Sequence, residues 1–325
     1  MDDDVANDTI PVVYFLTQQG ALGDMGYIDG LYAGTVRATV KGKMKVALAE
    51  LPTDSTLAKA EFRSLLEQLT AESQRRKTLL VIANNDMEAM LHRCEDDIKK
   101  AASVDILLAE TDDTTLPLYS LRIQQYGTYY QAGKLASEGL GAVDSILVAS
   151  ANPNNTNIRE MREGSTQGIT DTNKEGTEKH IGVDNMYLSQ TNEGFNMQDY
   201  AYKLSFTIAS RYDLILPLCG ETVQGFLRYS REYLGNDFFY VIGVDNDMQS
   251  YSSLVPFSVV KHIDNAVAEW ILQWKEGGKM PQHQSFGLSS GYTEIVCSDG
   301  ETKLAEVAKK YYQLSIEKEK AYENK

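Results

Sequence analysis

Cysteine, histidine, proline and tryptophan are all scarce in this chain of 325 residues, at 3, 4, 7 and 2 copies respectively. The three cysteines, Cys94, Cys219 and Cys297, are widely spaced and odd in number. They supply neither a disulfide framework nor a C-x-x-C metal spacing. His92, His180, His262 and His283 are equally scattered, with no H-x-x-x-H or H-E-x-x-H, so no metal site is expected. No apolar run approaches the roughly 20 residues needed to span a bilayer. Positive charge is also in short supply: 31 Lys and Arg stand against 46 Asp and Glu, a formal net charge of −15. That field repels phosphate backbones and anionic lipid, which argues against nucleic acid and peripheral membrane as partners. The G-x-x-x-x-G-K-[ST] phosphate loop and the G-x-S-x-G elbow are missing, so the expectation is a binding protein, with no catalytic residues and no cofactor.

What is present is an ordinary globular composition, 42% hydrophobic and 24% charged, in a chain long enough for two domains. Short apolar runs at 11–16, 46–51, 79–83, 106–109, 145–149, 214–218 and 238–244 lack strict alternation. Strands covered on both faces of a parallel sheet look like this. Amphipathic patterns lie between and after them, at 57–69, 87–101, 131–140, 197–210, 222–234, 263–274 and 303–322. In the first, Phe62, Leu65, Leu66 and Leu69 share a stripe, and Thr53 or Asp54 is available as a cap. The alternation implies βαβ units with right-handed crossovers. The expected fold is α/β, with two Rossmann-like lobes, each a parallel sheet flanked by helices, and a ligand cleft between the lobes at the strand carboxyl ends. The seam is expected near 117–123, read as an extended crossover. The stretch 164–178 reads as an exposed loop, and 1–8 as a flexible polar tether.

After the first strand, Gly20-Ala21-Leu22-Gly23-Asp24-Met25-Gly26 has the spacing G-x-x-G-x-x-G. A dinucleotide fingerprint needs G-x-G-x-x-G, so this stretch reads better as a flexible turn that sets Asp24 and Tyr27 at the cleft. Taken alone, Lys261 is an ordinary helix-start lysine behind the apolar pair Val259-Val260.

The order of motifs resembles the basic membrane protein family of substrate-binding lipoproteins, which includes purine-nucleoside receptors of ABC transporters. Residues 23–34 are similar to the family's G-D-x-S-F-N-x-S-x-x-x-G opening, and Tyr126-Gly127-Thr128-Tyr129-Tyr130-Gln131-Ala132-Gly133 to its E-G-S-Y-L-A-G helix start. Leu216-Pro217-Leu218-Cys219-Gly220 with Gln224-Gly225 resembles its A-D-V-I-F-P-V-A-G-G-T-G-Q-G segment. Val241-Ile242-Gly243-Val244-Asp245-Asn246-Asp247 is similar to V-I-G-V-D-S-D-Q, Ser258-Val259-Val260-Lys261 to T-S-V-V-K, and Phe286-Gly287-Leu288 to Y-G-L. The resemblance covers roughly residues 10–295.

It implies a periplasmic binding protein type I-like fold, with 9–120 plus 250–283 as the N-terminal lobe and 121–249 plus 284–325 as the C-terminal lobe. It implies an extracytoplasmic protein that captures a nucleoside-like solute and delivers it to a transporter permease. Tyr27 and Phe195 fall where aromatic rings close on the two faces of a base, and Glu110 near an Asp that reads the base edge. Asp245 and Lys261 fall where an Asp and a Lys hold ribose hydroxyls; an acceptor-only carboxylate beside a donor-only ammonium suits a vicinal diol. Gly220 lets backbone approach the ligand. Gln18, Ile28 and Glu110 depart from the family residues, so a sugar-like solute stands as the alternative ligand, and a sensing protein reporting to a receptor as the alternative output. The acidic start suits a tether behind an acylated Cys, with Met1 standing in its place, so membrane association is expected only through such a lipid anchor.

Overall fold

The computed structural model describes residues 9–24, 26–83, 87–174, 180–233 and 238–324. The expected tether at 1–8 and Met25 of the glycine turn lie outside them. The chain divides into two compact units: one runs up to Ile123 and takes in Ile263–Ser285, and the other comprises Gln124–His262 and Phe286–Lys325.

The first unit is built on β1 (Val12–Gln18), β2 (Lys45–Leu51), β3 (Thr78–Ile82), β4 (Asp105–Ala109), β5 (Tyr119–Ile123) and β12 (His283–Phe286), in the sheet order β12-β5-β4-β3-β1-β2. The pairs β1–β2, β1–β3, β3–β4 and β4–β5 are all parallel. Every residue of β3 is buried, which is why its sequence shows no alternation. The helices are α1 (Tyr27–Gly42), α2 (Ser55–Ser73), the short α3 (Glu88–Arg93) and α4 (Glu95–Lys100), and α9 (Ile263–Lys275). Asp54 starts α2 by accepting from Thr56 N and Leu57 N, each at 2.9 Å. That helix buries Ala58, Phe62, Leu66 and Leu69, one apolar stripe against Leu16, Leu80, Ile82 and Leu108. The pattern at 87–101 is two helices; the backbone turns out of helix at Cys94, with φ −112° and ψ 12°. The helix α9 packs on α1 so closely that a Cβ on Gly34 would lie 2.2 Å from the Asp264 carbonyl.

The second unit carries β6 (Ser145–Ser150), β7 (Gly182–Tyr187), β8 (Leu214–Leu218) and β9 (Tyr240–Val241) in the order β7-β6-β8-β9. A second sheet of β10 (Gly243–Asp245), β11 (Phe257–Lys261) and β13 (Thr293–Cys297) follows directly, since only Ile242 separates β9 from β10. The pair β10–β11 is parallel and β11–β13 antiparallel. The helices are α5 (Tyr126–Lys134), continued by a π turn at Leu135–Gly139, then α6 (Thr156–Lys174), α7 (Gln198–Ile208), α8 (Val223–Glu232) and α10 (Thr302–Glu323).

Three expectations change. The extended stretch at 117–123 contains β5, a full member of the first sheet, and the chain leaves the first unit only after it. Residues 250–283 do not travel together: β11 hydrogen-bonds between β10 and β13, so the chain returns to the first unit at Ile263 rather than near 250. Of the stretch 164–178, read as an exposed loop, 164–174 is the second half of α6, and 175–178 lie outside the described residues. Its glycines serve close packing on α5: a Cβ on Gly164 would lie 2.5 Å from the Tyr126 carbonyl, and one on Gly168 2.3 Å from that of Tyr130. Gly133 on α5 meets the Ser165 carbonyl in the same way, at 2.3 Å.

Candidate functional site

In both units the first strand of the sheet lies between the second and third, so the order reverses between β1 and β3 and again between β6 and β8. Loops at the carboxyl ends of such strands diverge and leave room for a ligand. The expected site residues fall on these loops or at neighbouring strand ends.

In the first unit the turn after β1 uses glycines at positive φ, Gly20 (77°) and Gly23 (95°). Asp24 then accepts from Gly26 N at 2.9 Å, Ile28 N at 2.8 Å and Asp29 N at 3.0 Å. It therefore caps the start of α1, where a carboxylate also meets the positive end of the helix dipole. Tyr27 opens that helix half-buried, and its hydroxyl donates to the Ala83 carbonyl just past β3, at 2.7 Å. This bond spans the β1–β3 switch. Glu110 follows β4 at φ 61°, a left-handed backbone that non-glycine residues rarely adopt. Its side chain is buried and accepts from Ile123 N at 2.9 Å, tying the ends of β4 and β5 together.

In the second unit Phe195 ends a short 3-10 turn, Asn192–Phe195. A Cβ on Gly194 would lie 2.0 Å from the Ala151 carbonyl, so this turn is pressed onto the end of β6. Thr222 fixes it from the other side, donating to the Gly194 carbonyl at 2.8 Å and accepting from Met197 N at 2.7 Å. Gly220, after β8, has φ 53°, and a Cβ there would come within 3.1 Å of the Phe195 ring. Phe195 and Gly220 are thus neighbours across the β6–β8 switch.

Asp245 and Lys261 come together as well. They end the adjacent strands β10 and β11, and Lys261 Nζ lies 3.7 Å from Asp245 Oδ1. The lysine side chain is 6% exposed and the aspartate 23%. Asp245 sits at φ 62°, a second left-handed residue at a strand end. Burial, reinforced by the negative charge of Asp245, pushes the Tyr129 hydroxyl and the Cys219 thiol well above their ordinary ionisation ranges. Both stay neutral around the pair, which leaves Asp245 and Lys261 as a compact donor–acceptor couple.

Sequence reasoning does not single out Tyr129, Cys219 or Asn152. Tyr129 and Cys219 carry no local signal, being buried residues of a helix and a strand end. Asn152 accepts from Asn154 N (2.9 Å) and Asn155 N (3.0 Å) and donates to Asn192 Oδ1 (3.0 Å). The Asn-Pro-Asn-Asn run is its available signal, since Asx turns favour such residues. Among the described residues no cluster of metal-ligating side chains occurs and no helix is long and apolar enough to cross a membrane.

No protein-family model matches the chain, and no curated protein sequence matches it. Solved structures do. A solute-binding protein of an ABC transporter system from Aeropyrum pernix K1 superimposes with a TM-score of 0.72 at 15% identity, over 96% of this chain and 90% of that one. A periplasmic solute-binding protein of an ABC transporter from Actinobacillus succinogenes 130z, solved with bound D-allose, gives 0.68 at 12% identity, over 90% and 99%. A transcriptional activator from Bacillus halodurans gives 0.68 at 15% identity, over 93% and 98%. The chain has the type I periplasmic binding fold.

Proposed function

We propose that the chain is an extracytoplasmic solute-binding protein that captures a small polar ligand bearing vicinal hydroxyls and delivers it to an ABC-type transporter. The observation that carries this is the Lys261–Asp245 couple at the ends of β10 and β11. A buried ammonium offers only donors and a carboxylate only acceptors, and each hydroxyl of a vicinal diol can satisfy one of each. In low dielectric, a ligand lacking the diol forgoes its bonds to the pair, which is how such a couple discriminates. The neutral Tyr129 and Cys219 add no competing charge.

A nucleoside is the first ligand we assign, since Phe195, held beside Gly220, offers an aromatic face to a planar base. Base–aromatic stacking contributes about 1–3 kcal/mol per base. Tyr27 carries the same proposal for its own ring. A free sugar is the second reading, favoured by the fold shared with a protein solved with D-allose. The proposed placement outside the cytoplasm, on a lipid anchor, is tested by the gene itself: a signal peptide and lipobox Cys ahead of residue 1 support it, and their absence from the full-length gene removes it.

Titration calorimetry with purine and pyrimidine nucleosides, ribose, allose and glucose tests the ligand. Binding of at least one, lost on removing its vicinal diol, is the expected result. Binding that survives with the 2′,3′-dideoxynucleoside, or no binding by any of the set, refutes the assignment.

A further inference from the structure

The second unit contains a buried carboxyl group that the proposed binding function does not use. The chain crosses into this unit at Gln124 and again at Phe286. The two crossings touch, Gln124 N donating to the Phe286 carbonyl at 2.8 Å. Glu319, near the end of α10, grips both. Its Oε1 accepts from Leu288 N at 2.8 Å and its Oε2 from Gly127 N at 3.1 Å. The neighbouring glycines are shaped to it. A Cβ on Gly287 would lie 2.1 Å from Glu319 Oε1, and one on Gly127 2.8 Å from Oε2. No other residue leaves room for the carboxyl group at either place.

We propose that Glu319 is a proton-operated fastener: ionised, it holds both crossings of the chain into the second unit; protonated, it holds one and lets the other go. The chemistry follows from lone pairs. A carboxylate accepts through both oxygens, whereas a carboxylic acid accepts well through one and donates through the other. The proposal gives that proton to Gln124 Oε1, which lies 3.2 Å from the same Gly287 Cβ position that Glu319 Oε1 crowds. Protonation thus exchanges the grip on a backbone N–H for a bond to the Gln124 side chain.

The switching range follows from the surroundings. Burial raises the Glu319 pKa to about 7, against the two backbone N–H groups that lower it; Glu160 and Glu323 raise it further. The ionisable groups facing it are Glu160 on α6, which accepts from Gln125 N and Tyr126 N at 3.1 Å, and Glu323 on its own helix. Next to these stand Tyr126 on α5, stacked on Tyr322, and Arg159 and Glu163 on α6, whose charges act on the Tyr322 hydroxyl. The segment 286–290 brings no ionisable group.

The linkage has a definite sign. The folded-state pKa is raised, so the folded chain holds the proton more tightly than the unfolded one between about pH 4.5 and 7. This contribution to stability is full below about 4.5, is lost as pH rises through 7, and is flat above. From pH 5 to pH 8, Glu319 alone lowers the folding equilibrium constant about 70-fold.

Two measurements test the proposal. In the wild-type chain, the amide NMR shifts of Gly127 and Leu288 are followed from pH 5 to 8.5. A common midpoint at 6 or above supports the fastener; a midpoint below 6, or unequal midpoints, overturns it. Separately, the pH dependence of unfolding in urea is compared with that of E319Q. The wild type loses about 70-fold more in folding equilibrium over the window, whereas parallel profiles overturn the proposal. The amide measurement needs no variant and stands even where E319Q fails to fold.

Discussion

Replacing Gly168 by alanine sets two opposing effects against each other. In a helix interior, alanine is favoured over glycine by about 1 kcal/mol. At this position, however, the new Cβ would sit 2.3 Å from the Tyr130 carbonyl oxygen, with Lys134 N at 3.1 Å and Gly133 Cα at 3.2 Å. All three are backbone atoms, so no side chain can rotate aside. The short contact is about 1 Å inside ordinary van der Waals separation, and relief requires α5 and α6 to part. Parting them loosens the contacts at Gly133 and Gly164 in the same seam. Overpacking of this kind costs about 1–3 kcal/mol and more where backbone must move. We expect the clash to win by about 2 kcal/mol, a fall in Tm of about 4–8 °C for a unit of this size. Gly30→Ala is the control: its Cβ meets only the Ile263 Cγ2 methyl at 3.3 Å, so the helix preference decides and stability stays level or rises by up to about 1 kcal/mol. Urea unfolding followed by far-UV circular dichroism reads the whole chain, while tryptophan fluorescence reads the first unit, which holds both Trp270 and Trp274. A Gly168→Ala chain as stable as wild type by circular dichroism would refute the close-packing argument.

Lys261→Met removes the donor half of the polar couple, and loss of a charge-assisted hydrogen bond of about 1.5–3 kcal/mol predicts a roughly 10- to 100-fold weaker ligand by calorimetry. Unchanged affinity for every ligand the wild type binds sinks the diol assignment. Tyr27→Phe loses the bond to the Ala83 carbonyl but keeps the ring. We expect about 1 kcal/mol of stability to go while any stacking remains, whereas Tyr27→Ala removes both; equal ligand affinity in all three chains excludes a stacking role. Burial raises all three thiol pKa values, so each is less ionised than a free cysteine at the same pH. A thiol reagent at pH 8 should modify the half-buried Cys297 first and the buried Cys94 and Cys219 only with unfolding. Fast reaction of Cys219 in the native protein contradicts its burial.

The strands legible in the sequence are those covered on both faces, such as β3 and β8, because an unbroken apolar run of that length fits only a segment with no wet side. The polar edge strand β7, Gly182-Val183-Asp184-Asn185-Met186-Tyr187, has no such run. Gly164 and Gly168 mislead because glycine signals a turn in sequence, while in a helix it can equally mark a place where two backbones meet. The point at which the chain returns to the first unit depends on β11 pairing with β13, a partner beyond an intervening helix, and no local pattern announces that. Of the candidate site residues, Asp245 and Lys261 are reached through motif order, and the parallel register of β10 and β11 brings them together. The capping role of Asp24 is not read from the sequence, which gives that residue to the cleft, because the helix it starts shows no clear amphipathic pattern. Nor is the tie from Glu110 to Ile123, since it joins two strand ends that only the sheet makes neighbours.

The interleaving of the two units also bears on how the chain can be made. The first unit is finished by α9, which covers α1 from far down the sequence, and the second by α10, the last of the described helices. Leu304, Val307 and Tyr311 of that helix are core residues beside Ile146, Leu214 and Val259. A chain made in sequence order therefore leaves the first core open until the segment Ile263–Ser285 is out, and the second until α10 follows it. Such non-local closure slows folding and lengthens the time in which apolar faces are open to solvent. Deleting α10 would not trim an appendage; it would leave the second core unsealed.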